Sequence, residues 1–165
     1  MRISDLRIDG FGVWNGLQLE DLSDRVSVLY GPNEAGKTTL LQFIRGMLYG
    51  FADERRRRYL AAQNGGPSGG ALHLADPTGD VRVRRIAQAD EAGTLGERVD
   101  IRTDDGRRLA DGALATLLGK IDEPTFNNVF AVGLRELQEL GTLSDTDAAR
   151  HLYRLTAGLD RVSLV

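Results

Sequence analysis

Val26-Ser27-Val28-Leu29-Tyr30-Gly31-Pro32-Asn33-Glu34-Ala35-Gly36-Lys37-Thr38-Thr39-Leu40-Leu41 reads as an apolar strand, a glycine-punctuated loop and the first turns of a helix. Within it, Gly31 to Thr38 fits G-x-x-x-x-G-K-[ST], the phosphate-binding loop. The spacing has a chemical reason. A triphosphate is a dense anion that needs many donors and little steric bulk. Backbone N–H groups from Asn33 through Glu34, Ala35 and Gly36 to Thr38 are expected to turn inward around the phosphates. The helix that starts near Lys37 adds the positive end of its dipole. Gly36 permits close backbone approach and angles that other residues resist. Lys37 is the candidate catalytic residue, reaching the β- and γ-phosphates. Thr38 is the candidate Mg²⁺ ligand, and Thr39 stands one helical step on, within reach of the α-phosphate. The lysines of the chain are Lys37 and Lys120, against many arginines. A basic surface here would be written in arginine, so a lysine inside the loop has a separate purpose.

The surrounding chain sets bounds on this site. It has 165 residues, enough for one domain with a real core. Its formal charge of -3 announces no global nucleic-acid partner, and it contains no cysteine for disulfides or thiolate metal sites. Met1-Arg2-Ile3-Ser4-Asp5 does not open a secretory signal. No apolar run approaches the ~20 residues of a membrane span, so a soluble, cytoplasmic protein without membrane contact is expected.

Upstream of the loop, Arg2 to Asp9 alternates well enough for a first strand. Gly10-Phe11-Gly12 reads as a turn, and Asn15-Gly16 as a tight hairpin returning through Leu17 and Leu19. Downstream, the spacing predicts a helix from Lys37 to Tyr49, with Leu40, Phe43, Ile44, Met47 and Leu48 on one side and Gly50 as its stop. Residues 52–70, with the charge run Asp53–Arg58 and a Gly/Pro/Ser-rich end, read as a flexible loop. Residues 71–110 read as a β-meander, with Leu72 and Leu74, Val81 and Val83, and Val99 and Ile101 alternating with polar residues. Three helices are then expected: Gly112–Leu118 capped by Asp111, one capped by Asp122 with Phe126, Val129 and Phe130 buried, and one from Ser144 through Leu155.

The residues Phe11-Gly12, Tyr30 to Leu40, Phe43-Ile44-Arg45, Leu48-Tyr49-Gly50-Phe51 and Phe126 to Gln138 together resemble YhaN-like proteins, the AAA_27-like group placed with ABC-class DNA-repair ATPases of the SbcC, SMC and RecF type. The resemblance spans nearly the whole chain. Its more specific parts are Asn33-Glu34-Ala35-Gly36 and Gly133 to Leu137. It implies an α/β P-loop NTPase of the ABC ATPase type. Residues 1–165 would form the N-terminal half of the head: a mixed sheet around the P-loop helix (1–51), the loop (52–70), an antiparallel β-meander subdomain (71–110) and a helical segment toward a coiled coil (111–165). It further implies ATP and Mg²⁺ as ligands. The implied partners are the protein's own C-terminal half, a second head in a homodimer, DNA and a nuclease.

The chain departs from the family pattern in places. Leu117 to Glu123 ends in Asp-Glu but is broken by Gly119-Lys120 and followed by Pro124, so a helix stop and a new cap explain it better than a Walker B strand. Leu143-Ser144-Asp145 lacks the glycine of a signature motif. Leu134 stands where many members carry a glutamine, leaving Gln138 or Glu136 as the candidates to sense Mg²⁺, beside the ordinary reading of an exposed helical face. Without the Walker B and signature motifs, this stretch by itself is expected to be inactive.

Other groups have two readings each. Arg82, Arg84, Arg98 and Arg102 form either a DNA-phosphate contact or a solvated sheet face. Arg55–Arg58 is either a DNA contact or a charged loop. Phe11 and Trp14 are either near the base or packed in the core. His73 and His151 show no partner at metal-ligand spacing and read as structural. A kinase or GTPase is disfavoured because no N-K-x-D motif appears. The rival function is a nucleotide-gated dimerisation module with little turnover.

Overall fold

A row of apolar residues organises the sheet. Leu6, Leu72, Val83 and Ile101 stand opposite one another across four neighbouring strands, and all four are buried. The computed structural model describes residues 1–60, 68–77, 79–89, 95–110 and 112–131. In it the strands are β1 (Arg2–Phe11), β2 (Trp14–Leu19), β3 (Ser68–Ala75), β4 (Val81–Ala89) and β5 (Leu95–Thr103). They form one sheet in the order β2-β1-β3-β4-β5, with every neighbouring pair antiparallel. Period-two alternation sends Leu6, Ile8, Leu72, Leu74, Val81 and Val83 to one face. Segment 107–109 folds back along β5, where the Leu109 amide donates to the Ile101 carbonyl.

The helix α1 (Lys37–Tyr49) covers that face. Its buried stripe of Leu40, Phe43, Met47 and Leu48 follows the spacing read from sequence. Phe43 approaches the sheet over Gly70, where a Cβ would stand 2.9 Å from the Phe43 ring and 2.0 Å from the Arg7 carbonyl oxygen. Phe11, Phe43 and Phe51 form the aromatic part of the core, with Phe11 edge-on to Phe43 at 5.5 Å between centroids.

Several sequence expectations change. The sheet is antiparallel throughout the described residues rather than mixed, and the meander is not a separate subdomain, because β3 pairs directly with β1. Val26–Tyr30 forms no strand: Val26, Val28 and Tyr30 are 76%, 77% and 94% exposed. β propensity and apolar character do not make a strand without a neighbour to accept its backbone hydrogen bonds. The expected loop 52–70 contains a helix, α2 (Asp53–Tyr59), and the first residues of β3, while residues 61–67 lie outside those described. A seven-residue helix is too short to stand alone. Tyr59 anchors it by stacking on Phe11 at 4.9 Å, and its carbonyl accepts the Gly12 amide at 2.8 Å. In the hairpin, Phe11 pairs with Trp14 and Gly10 with Asn15. The reversal therefore falls at Gly12-Val13, and Asn15-Gly16 belongs to β2.

A part-buried ion pair, with Arg85 buried and Glu97 exposed, ties β4 and β5 to the end of α1. Arg85 Nη1 donates to Glu97 Oε1 at 2.8 Å and Arg85 Nε to the Met47 carbonyl at 3.1 Å, while Glu97 Oε2 accepts the Phe51 amide at 3.0 Å. Burial pulls the Arg85 pKa down, opposed by the Glu97 charge beside it.

The chain divides into two compact units, Met1–Lys120 and Ile121–Val165. The first ends with α3 (Ala113–Leu117), terminated at Gly119 in the left-handed region (φ 64); the expected cap Asp111 lies outside the described residues. In the second, α4 (Glu123–Val129) begins as read from sequence, with the Asp122 carboxylate accepting the Thr125 amide and Pro124 in the first turn. Its rings are not buried as expected. Phe126 and Val129 are half-buried, and Phe130 is 58% exposed. The helix expected from Ser144, with Glu136, Gln138 and His151, lies outside the described residues. No helix among the described residues is long and apolar enough to cross a membrane.

Glu97→Ala removes the charged partner of a buried guanidinium. Arg85 keeps the Met47 carbonyl, so the loss of stability is expected to be roughly 1–3 kcal/mol in urea unfolding, whereas replacing Arg85 and Glu97 together with Met and Leu costs less. A second test concerns Asp5. Its carboxylate accepts from Ser4 Oγ at 2.7 Å and the Asp21 amide at 3.1 Å and faces His73, which holds its pKa below the ordinary value. A lowered folded pKa stabilises the fold above the unfolded value, and that contribution is lost as pH falls through the folded one. The destabilisation caused by Asp5→Asn should therefore be full near neutral pH and shrink below about pH 4, as read by urea unfolding at several pH values.

Candidate phosphate-binding site

The loop 31–36 changes direction through two left-handed residues. Glu34 has φ 67 and Gly36 has φ 88. Between them the chain tightens where the Ala35 amide donates to the Pro32 carbonyl at 3.3 Å. Gly36 is the N-cap of α1, and its carbonyl accepts the helix's first hydrogen bond, from the Leu40 amide at 2.9 Å. Among the described residues no side chain caps the start of α1, and its first turn contains no acid. The first-turn amides of Lys37, Thr38 and Thr39 therefore lack intrahelical partners and carry the positive end of a thirteen-residue helix.

Lys37 folds back over the loop. Its ammonium donates to the Gly31 carbonyl at 2.7 Å and the Pro32 carbonyl at 2.6 Å. Both acceptors are neutral, so the ammonium has no anionic partner in these two bonds. Asn33, Glu34, Lys37 and Thr38 are exposed, Ala35 and Thr39 are half-buried, and Gly36 is buried. The residues singled out from sequence between Asn33 and Thr39 are thus brought together on one contiguous turn. Gln138, the other candidate metal contact, lies outside the described residues.

A Cβ at Gly36 would meet the Trp14 ring and Val13 Cγ2 at 2.8 Å, and a Cβ at Gly12 would meet Thr39 Cγ2 at 2.7 Å. The tip of the β1–β2 hairpin therefore walls the junction of loop and helix. Sequence reasoning noted Trp14 but not this contact, since 22 positions separate it from Gly36. Phe11 belongs to the core as expected, at 1% exposure, while Trp14 is half-buried against the loop.

The arginines divide by environment. Arg82, Arg84, Arg98 and Arg102 lie exposed on the sheet face opposite α1. Arg102 pairs with Asp100 at 2.7 Å and Arg84 approaches Asp9 at 3.7 Å. This is a solvated face of mixed sign. Arg55–Arg58 belong to the helix α2 and not to a charged loop. Arg55 binds Gln42 Oε1 and the Gly50 carbonyl, Arg56 pairs with Asp53, and Arg58 lies 5.5 Å over the Tyr59 ring. His73 has partners that spacing alone did not reveal. Nδ1 faces Asp5 at 3.1 Å and Nε2 faces Asp104 at 3.0 Å, with Asp80 close by.

The fit to a phosphate group rests on Gly36: any side chain there would collide with the hairpin and strain a left-handed backbone. Gly36→Ala is expected to weaken binding of Mg²⁺·tripolyphosphate by more than about tenfold in a calorimetric titration, given ~1–2 kcal/mol for the backbone alone.

Comparison with known proteins agrees with this geometry. The model of a family described as "AAA domain" (AAA_27) matches residues 1–164. The uncharacterized protein YhaN of Bacillus subtilis (strain 168) is 29% identical over 141 residues, which cover 85% of this chain. The chain spans about 14% of the length of that relative. The match extends from β1 through the glycine loop before α1 to the last described helix and beyond: the chain belongs to the AAA domain family, an ATPase-type domain, and is YhaN-like.

Proposed function

We propose that this chain is the ATP-binding half of an ATPase head of the SbcC, SMC and RecF type. In this reading ATP and Mg²⁺ bind at Asn33–Thr39 and drive head dimerisation in DNA double-strand-break repair or DNA end processing. The observation that carries it is the loop itself: a left-handed Gly36 leading into an uncapped helix start, with the Lys37 ammonium held over the loop carbonyls. Lys37 neutralises phosphate charge, the first-turn amides bind phosphate oxygens, and the Thr38 hydroxyl ligates Mg²⁺. The metal supplies charge neutralisation between the phosphates.

The exposed run Val26–Tyr30 supports the same reading. It is an apolar segment with the alternation of a strand and no strand beside it among the described residues. Strand pairing with the protein's own C-terminal half would bury it and complete the sheet next to the phosphate loop. That half would also bring the Walker B carboxylates and the signature motif. A second head would then close over the nucleotide in a homodimer. DNA, a nuclease partner and a cytoplasmic setting follow from the resemblance to the DNA-repair ATPases.

The test is a calorimetric titration with MgATP beside Lys37→Ala. The wild type is expected to bind and the variant to lose at least about tenfold in affinity, consistent with a charge-assisted hydrogen bond to phosphate. Equal affinity of the two proteins would remove Lys37 from the site. Turnover measured with the C-terminal half present then separates a hydrolysing head from a nucleotide-gated dimerisation module.

A further inference from the structure

The carbonyl of Gly36 has two donors. One is the Leu40 amide at 2.9 Å, the first bond of α1. The other is the indole Nε1–H of Trp14 at 3.1 Å. A carbonyl oxygen has two lone pairs, so both bonds can be made together. The indole also crowds the glycine: an added Cβ would stand 2.8 Å from Trp14 Cε2 and Cζ2. Trp14 is itself fixed, because it opens β2 opposite Phe11, whose ring is in the core. Sheet, indole and phosphate loop are therefore linked by one short chain of contacts.

Glycine reaches left-handed and right-handed conformations with similar ease, so a glycine at φ 88 is held there by its surroundings and not by its own preference. At Gly36 those surroundings are the Trp14 side chain and Val13 Cγ2, and of the two only Trp14 also hydrogen-bonds the residue. We infer that Trp14 is a positioning residue of the phosphate site, its indole N–H and ring locking Gly36 so that the first-turn amides of α1 are oriented before the ligand arrives. Preorganisation of this kind strengthens binding by reducing the ordering that must accompany it. Trp14 does this through Gly36 and needs no contact with the nucleotide. The inference rests on the nucleotide site proposed above and adds to it a lock supplied from the hairpin.

Trp14→Phe keeps an aromatic ring and removes the N–H, and Trp14→Ala removes both. Three measurements on each variant and the wild type decide the matter: thermal unfolding, MgATP titration, and amide hydrogen exchange across residues 36–41 without nucleotide. Trp14→Phe is expected to keep the thermal midpoint within about 3 °C. It should weaken MgATP by about three- to tenfold, the worth of one hydrogen bond, and speed exchange at the start of α1. Trp14→Ala should weaken MgATP further. Wild-type affinity and wild-type exchange in both variants would overturn the inference. A folded wild type that binds no MgATP would count against the proposed function instead, and the exchange comparison would still decide the role of Trp14, since it needs no ligand.

Discussion

The packing of α1 on one face of the sheet is the constraint from which the rest of the structure follows. Leu40, Phe43 and Met47 are buried on the side of α1 that packs against β1, β3 and β4, where Leu6, Leu72 and Val83 are buried too, and each large apolar side chain buried there contributes ~1.5–3 kcal/mol. The exposed Asp53–Arg56 pair on α2 offers a few tenths at most. Apolar burial therefore fixes where α1 lies, and α1 in turn fixes where its own N-terminus points. The phosphate loop is the entrance to that helix, so its position is set by contacts several residues away from any of its functional atoms.

Both ends of α1 are held by polar contacts, with different consequences. At the C-terminal end, Arg85 and Glu97 engage Met47 and Phe51 from neighbouring strands. These bonds satisfy groups that burial would otherwise leave unpaired, and they make β4 and β5 part of the support of the helix. At the N-terminal end, no side chain caps α1 among the described residues, and Lys37 donates to two neutral carbonyls. A helix closed by ionic contacts at one end and left open to anions at the other has the polarity that phosphate binding requires.

Glycines serve separate purposes along this path. Gly70 lets Phe43 approach the sheet, and Gly36 lets the chain turn beneath Trp14. From sequence, Gly70 falls in a stretch that reads as a flexible loop, whereas Gly36 reads as a close approach. In the fold each marks a close approach between two elements, where a Cβ has no room.

The phosphate loop, the apolar stripe of α1, the meander strands and the Asp122 cap were legible in the sequence because each depends on neighbours within a few residues. Helical and strand periodicity, turn chemistry and the G-x-x-x-x-G-K-T spacing are local codes. The tertiary structure decided what depends on distant partners. Val26–Tyr30 has the composition of a strand but no neighbour to pair with among the described residues, and it is exposed. Asp53–Tyr59 has the composition of a charged loop, but stacking of Tyr59 on Phe11 makes it a helix. His73 reaches Asp5 because the antiparallel register of β1 and β3 sets them opposite each other, and Trp14 reaches Gly36 because the hairpin tip meets the start of α1; both contacts join segments far apart in the chain. Periodicity encodes which face of an element is apolar. Which element covers that face is settled by long-range packing, whose partners no local pattern names.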